Sequence, residues 1–415
     1  MSSFPSLPKP HNAELPTELP RFAAVLYAIV CGSAVATVYF AQPLLEAIAE
    51  EFGISPAVIG IVVTVTQLCY ALGLFFVVPL GDLLDPRRLV TGMMVGSAAA
   101  LSIVAFSSNA VLLFLGIGLT GFLAVVAQVL VALAAHRSSA SRRGQNIGLV
   151  TSGIVIGILL ARTFAGALAD LAGWRSVYLV SALIMLVMAC VFLRVTPAAP
   201  SPPRRISYTE LLRSVKGLFV QIPLLRVRAL LAFLIFTDFS ILWSSMVLPL
   251  SAPPLSLSHT AVGLFGLAGA AGAVAAGRAG RLADRGLGQR TTGIALLLLL
   301  ISWLPIGLLG TSLWLFAAGV VMLDFAVQAV HVTNQSMILS VRPEARSRLT
   351  AGYMIFYSCG SAAGAVASTL IYSWAAWTGV CLLGAVVSVG TLLFWVLTYR
   401  TTGFYSPQKD SQSIG

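Results

Sequence analysis

"GDLLDPRR" (81–88) returns later in the chain as "GRLADRGLGQR" (280–290). In both stretches an Asp follows the first Gly by four residues, Asp85 and Asp284. Arginines come after it, Arg87 and Arg88 in the first copy, Arg285 and Arg290 in the second. A further Gly stands eight residues upstream of each copy, Gly73 and Gly272. Gly81 and Gly280 lie 199 positions apart in a chain of 415 residues, so the repeat divides the sequence into two halves. In a chain that crosses a bilayer, a parallel repeat of this size marks two bundles built to one plan.

Composition shows that the chain does cross a bilayer. It is 58% hydrophobic and only 9% charged, where soluble domains carry about 25% charged residues. Apolar runs of about 20 residues, each long enough to span the hydrocarbon, recur along nearly the whole chain. Barrel strands alternate in polarity over about 10 residues; these runs are continuous, so they are helices. Twelve are predicted, over 24–49, 57–80, 88–107, 110–135, 146–169, 176–195, 228–250, 260–279, 290–310, 312–340, 348–372 and 375–399. The expected fold is an all-α membrane protein with twelve transmembrane helices in two pseudo-symmetric six-helix bundles, 24–195 and 228–399. A polar tail (1–23), a linker (196–227) and a second tail (400–415) complete it. In the linker, "TPAAPSPPRR" (196–205) is Pro-rich, and "YTELLRSVKGLF" (208–219) predicts an amphipathic helix on the membrane surface. The first span is too long for a signal-peptide core and is expected to be retained.

Basic residues give the orientation. Of 25 Lys and Arg, 23 fall on the side that holds both termini; Arg175 falls on the other side and Arg162 within a span. The positive-inside rule makes the terminal side cytoplasmic. The net charge of +11 is then explained by topology and by anionic lipid, with no nucleic-acid partner needed. The five cysteines, Cys31, Cys69, Cys190, Cys359 and Cys381, are scattered through the spans. That pattern suggests neither a disulfide framework nor a metal site.

The loop pattern, the span count and the repeat together resemble the major facilitator superfamily, whose signature is Gly-x-Leu-x-Asp-(Arg/Lys)-x-Gly-Arg-(Arg/Lys). The second copy follows the signature more closely. The first has Pro86 where a basic residue is expected and lacks the later Gly. "YFAQPLL" (39–45), "GILLARTFAG" (157–166), "GWRSVY" (173–178) and "GVVMLDFAVQAVHVTNQ" (319–335) are similar to a bacterial branch near the drug:proton antiporters. Gly153, Gly157 and Gly166 resemble the Gly-rich fifth helix of antiporters, without its Gly-Pro pair. The resemblance implies a monomeric transporter of the bacterial inner membrane. It also implies a cytoplasmic gate motif made by Gly81, Asp85, Arg87, Arg88, Gly280, Asp284 and Arg285, which latches that side when the protein faces outward. Physically, Asp85 suits the N-cap of the third span with Pro86 in its first turn, and Gly81 permits close helix approach.

The stretch 319–335 carries the most polar span. At 100° per residue, Gln328, His331 and Gln335 lie within about 40° of Asp324, with Asn334 on the flank at about −80°. On a lipid-facing surface such a stripe costs several kcal/mol, so it faces protein or a wet cavity. The resemblance implies the latter, because in this superfamily the tenth helix borders the central cavity. Asp324 is the candidate proton carrier, and His331 a relay or sensor. Gln328, Asn334 and Gln335 can bind a polar substrate group; interhelical hydrogen bonding is the structural alternative for each. Asp238 in "FTDFSILW" falls near mid-membrane. Arg162, a cation within a span, requires an acid partner. The family arrangement, with helix five against helices eight and ten, favours Asp324 over Asp238. Asp324, Asp238, His331 and Arg162 thus form the expected proton-coupling set, with an Arg162–Asp324 ion pair that breaks on protonation. Tyr39, Gln42, Gln67, Tyr70, Phe239 and Trp243 are further candidates for the cavity wall, and Glu46, Glu50 and Glu51 for an outer rim.

No Gly-x-x-x-x-Gly-Lys-(Ser/Thr) occurs, and the only lysines are Lys9, Lys216 and Lys409. An ATP site is therefore not expected, nor any cofactor; the energy source expected is the proton gradient. The leading expectation is proton-coupled export of a small, partly hydrophobic molecule by alternating access. Uptake of a siderophore or metabolite is the alternative. An embedded enzyme is disfavoured by the lack of His-Glu-x-x-His and Gly-x-Ser-x-Gly. A receptor would leave the repeat unexplained.

Overall fold

A computed structural model describes residues 19–138, 142–197, 207–269, 272, 278–279, 281–342 and 345–402. The first half contains α1 (Arg21–Ala36), α2 (Leu45–Phe52), α3 (Ile61–Phe76), α4 (Pro86–Ala105), α5 (Ala110–Leu123), α6 (Val126–His136), α7 (Arg143–Ala172) and α8 (Trp174–Val195). A linker helix, α9 (Tyr208–Gln221), leads to α10 (Pro223–Ser245), α11 (Val247–Ser251), α12 (His259–Leu264), α13 (Gly288–Gly307), α14 (Leu313–Leu339) and α15 (Arg346–Thr402). Among the described residues, nine helices are long and apolar enough to cross a membrane. The last of these, Arg348–Tyr399, holds two spans, because α15 leaves helical geometry at Ala375 and Ala376. The shorter apolar helices Arg21–Ala36 and His259–Ala268 occupy the first and eighth predicted spans. The architecture is two six-helix bundles.

Local chemistry sets the helix ends. Asp85 accepts a hydrogen bond from the Arg87 backbone N–H at 3.0 Å, and Pro86 fills the first position of α4. Asn109 caps α5 and Ser312 caps α14 in the same way. The first span is not one helix. α1 stops at Ala36, and a turn and a short 3₁₀ segment at Gln42–Leu44 precede α2. Pro43 lies in that break and has no N–H to continue a helical ladder. The fourth span is similarly interrupted, at Ala124 and Val125.

Within the first half, α1 and α7 pack backbone to backbone. A Cβ on Gly32 would stand 2.6 Å from the Gly153 carbonyl oxygen, so only glycine fits the crossing. α9 begins with a capping box, Ser207 and Glu210. Its apolar residues Leu211, Val215 and Leu218 are buried, and Phe219 stacks on Phe356 of α15 with centroids 5.4 Å apart. The apolar face expected to meet lipid therefore packs on the protein.

The hydrogen bonds that join the halves are unevenly placed. On the face away from the termini, Asp170 at the end of α7 accepts from the N–H groups of His259 (3.1 Å) and Thr260 (2.7 Å), which open α12. Thr64 of α3 donates to the Ala362 carbonyl at 2.8 Å, and Thr163 donates to the Gly263 carbonyl at 3.0 Å. At mid-depth the Tyr39 and Tyr357 hydroxyls bond to each other. Toward the terminal face, the Tyr208 hydroxyl of the linker helix donates to the Phe76 carbonyl at 2.8 Å. The halves are thus zipped at the far face.

Glu51 does not act as a free rim charge. It accepts from Trp174 Nε1 (2.6 Å) and Arg175 Nη2 (2.5 Å), while Arg175 also donates to the Ala105 and Ser107 carbonyls, each at 2.8 Å. The hydrogen bond from Arg175 holds the Glu51 carboxyl below its usual range. A depressed carboxyl contributes stability above its unfolded pKa, and that contribution is lost as pH falls through the folded value. The pair is exposed, so its worth is below about 1 kcal/mol. Glu51→Gln is expected to lower the melting temperature slightly at neutral pH, and the difference from the native protein should vanish in acid below the ordinary carboxylate range. A melting series against pH checks this.

Candidate functional site

Arg162 lies on α7 at the interface between the halves and is 2% exposed. The break in α1 turns Gln42 toward it, and Arg162 Nε donates to Gln42 Oε1 at 2.7 Å. The guanidinium carbon lies 3.7 Å from the Trp243 ring centroid, 4.9 Å from Tyr39 and 5.6 Å from Phe239. Nη2 is buried and has no hydrogen-bond partner. A desolvated cation–π contact of this kind is worth about 2 kcal/mol. Trp243 Nε1 in turn donates to Asp324 Oδ1 at 3.0 Å, and Asp324 is 3% exposed.

The expected Arg162–Asp324 ion pair is not formed. Trp243 contacts both, its ring face on the cation and its N–H on the carboxylate. The two charges still attract each other. Beside them is a cavity of about 10 Å³ lined by Gln42, Pro43, Arg162, Trp243, Met246, Val247 and Val262, the room a single water needs.

A second cluster lies toward the terminal face. His331 Nδ1 is 3.0 Å from the Tyr353 hydroxyl, and its ring packs at 5.2 Å from Phe236 and 6.0 Å from Tyr357. Arg228 Nη1 donates to Asn334 Oδ1 (3.0 Å) and Thr292 Oγ1 (3.1 Å). Asn334 is therefore sealed behind the stripe, turned to Arg228, and does not line an open space. Gln328 and Gln335 are half-buried, Gln328 against Gly272 and Gln335 against Met354.

Asp238 lies apart from both clusters. It is five residues before Trp243 on α10, about 140° around the helix. It is fully buried, with Oδ2 accepting from the Ser388 hydroxyl, the Trp303 side chain near it, and Oδ1 without a hydrogen bond among the described residues. Gln67 and Tyr70 are buried on α3. In the gate motif, Asp85 caps α4 and lies 3.9 Å from Arg88 Nε, and Arg87 donates to the Leu193 carbonyl. A Cβ on Gly81 would make ordinary contact with Val129, and Arg285 is exposed. Gly280 and the Asp284 side chain lie outside the described residues.

Three residues of these clusters went unrecognised in the sequence. Tyr353 and Tyr357, four apart and so on one helix face, were legible as a polar aromatic pair. Arg228 gave no such signal, since a basic residue at a span's inner end reads as a solvated anchor; it is 1% exposed.

Two repeated six-helix bundles, closed on one face over a buried arginine, indole and carboxylate, define a membrane transporter of the two-bundle class. The Major Facilitator Superfamily profile matches residues 26–278 and 228–413, and the chain belongs to that superfamily. It is 47% identical over 378 residues to the putative uncharacterized transporter YgaY of Escherichia coli strain K12, covering 91% of this chain and 96% of that one. A more distant relative, the purine ribonucleoside efflux pump NepI of Salmonella paratyphi A, is 26% identical over 190 residues, 44% of this chain and 47% of that protein. Among solved structures, an inward-facing, unoccupied bacterial homologue of the human lysosomal transporter Spinster superposes with a TM-score of 0.71. It is 14% identical and covers 92% of this chain and 96% of that one.

Proposed function

We propose that the protein is a proton-coupled exporter of small, partly hydrophobic molecules, working by alternating access in a bacterial inner membrane. Both termini are cytoplasmic in this reading, which the distribution of Lys and Arg supports; the zipped face is then the outer one and the conformation inward-facing. The bundles are 24–195 and 228–399, and the transporter works as a monomer on the proton gradient, without a cofactor.

The observation that carries the reading is Asp324. It is a carboxylate buried at membrane depth, bonded to the indole on which the other half's arginine rests. With Asp324 ionised, its charge and its hydrogen bond hold Trp243 and Arg162 together and favour the zipped outer face. A proton on Asp324 removes the charge. A substrate that takes the faces of Trp243 and Arg162 weakens the same grip. Exchange follows if the empty ionised form crosses slowly in both directions, so that each crossing is made with a proton or with cargo aboard. The aromatic walls of Tyr39, Phe236, Phe239 and Trp243 support a partly hydrophobic cargo, and the named activity of NepI supports export.

The test is uptake of a labelled purine ribonucleoside and of a lipophilic cationic dye into inverted vesicles under an imposed pH gradient. Accumulation of either with acid inside is expected. Accumulation only with the opposite gradient indicates uptake in the cell, and a gradient-independent result for both removes proton coupling.

A further inference from the structure

We infer that Arg228 sets the hydrogen-bonding polarity of His331 from a distance, through Asn334 and Tyr353. The imidazole is held as the neutral tautomer with its proton on Nε2, and that N–H is offered to the space between the halves. The use of this space as a substrate path rests on the function proposed above; the tautomer does not.

The argument starts from donors and acceptors. A guanidinium can only donate. The Asn334 atom 3.0 Å from Arg228 Nη1 must therefore be the carbonyl oxygen, and chemistry fixes the amide orientation. Thr292 spends its own proton on the Gly288 carbonyl at 2.8 Å and accepts from Arg228 with a lone pair. Asn334 Nδ2 then faces the Tyr353 hydroxyl at 3.5 Å, and the Arg228 charge lies within electrostatic reach of the same hydroxyl.

Tyr353 is 1% exposed, so no bulk water completes its bonding. The acceptor beside it is His331 Nδ1, at 3.0 Å. The Tyr353 O–H donates there. Were Nδ1 protonated, the hydroxyl would be ringed by donors and its own hydrogen would be buried without an acceptor, which is costly in a dry site. His331 thus keeps its proton on Nε2. Among the described residues Nε2 makes no hydrogen bond, and His331 is half-buried where Asn334 and Tyr353 are sealed. Arg228 is a positioning residue in this scheme, and His331 is the group it arms. A site that presents N–H here suits a carbonyl oxygen or aromatic ring nitrogen on the cargo and disfavours a second donor.

The experiment is nitrogen NMR of the full chain in lipid bilayers, with ¹⁵N-labelled histidine. The protein has four histidines, and His331→Gln assigns the signal. At neutral pH the expected pattern is a pyridine-type Nδ1 and a pyrrole-type Nε2, with the Nε2 proton in contact with water. Asn334→Asp puts an acceptor where the NH₂ was and pairs with Arg228, so the Tyr353 O–H turns to it and the pattern on His331 reverses. Tyr353→Phe cuts the relay and leaves a mixture of tautomers. A doubly protonated ring or an Nδ1–H tautomer in the unaltered protein overturns the inference, as does an unchanged pattern in a folded Asn334→Asp variant. If Asn334→Asp does not fold, Tyr353→Phe decides, and a single unchanged tautomer there overturns it. A normal tautomer together with absent proton-driven flux would sink only the transport reading.

Discussion

Replacing Asp324 by Asn is expected to abolish proton-driven accumulation while exchange of labelled for unlabelled cargo continues. The amide oxygen can still accept from Trp243 Nε1, so packing at the interface survives and only the titratable charge is lost. One pH unit is worth about 1.4 kcal/mol, which for one-to-one exchange is about a tenfold concentration ratio. A gradient of about two units should therefore give the native protein an accumulation of up to about 100-fold, and the variant a ratio near one. Counterflow measured without a gradient distinguishes a broken coupling from a dead carrier. An Asp324→Asn protein that still concentrates cargo under acid would move the coupling site elsewhere, and Asp238 would be the next residue to change.

The second large effect concerns glycines that look alike in sequence. A Cβ on Gly263 would meet the Arg162 backbone of the other half, and one on Gly60 would meet Ala365 and Thr369 across the same face. Gly263→Leu is expected to wedge the outer zip and shift the population toward the outward-facing form. Overpacking costs about 1–3 kcal/mol, which corresponds to a shift of roughly 5–150-fold. Spin-label distances across the outer face should lengthen. Gly157→Leu collides instead with Gly32 in the same half, a contact inside one bundle and not between the two. It should lower the melting temperature and the yield without favouring either form. If Gly263→Leu merely destabilises and leaves the distances unchanged, the zipped face is not what opens.

The repeat and the spans were legible because apolar length and spacing are linear properties of a chain. Depth was legible for the same reason: counting residues placed Asp238 near mid-membrane. What counting does not give is the direction a helix faces relative to its neighbours. Trp243 and Asp238 share α10, yet one meets Arg162 and the other is sealed behind it against Ser388. Asn334 sat on the edge of the polar stripe in projection, and its turn toward Arg228 depends on where α10 happens to pack. That the break in the first span delivers Gln42 to Arg162 was likewise hidden from any linear count.

Arg162 is gripped by ring faces and is buried from bulk solvent. Dissolved ions weaken attractions between charges they can surround, over a screening distance of about 10 Å at 0.1 M. The Glu51–Arg175 clasp at the surface is open to that loss; the aromatic grip on the arginine is not. That grip is therefore expected to hold in strong brine, where the exposed Asp170 contacts with His259 and Thr260 weaken.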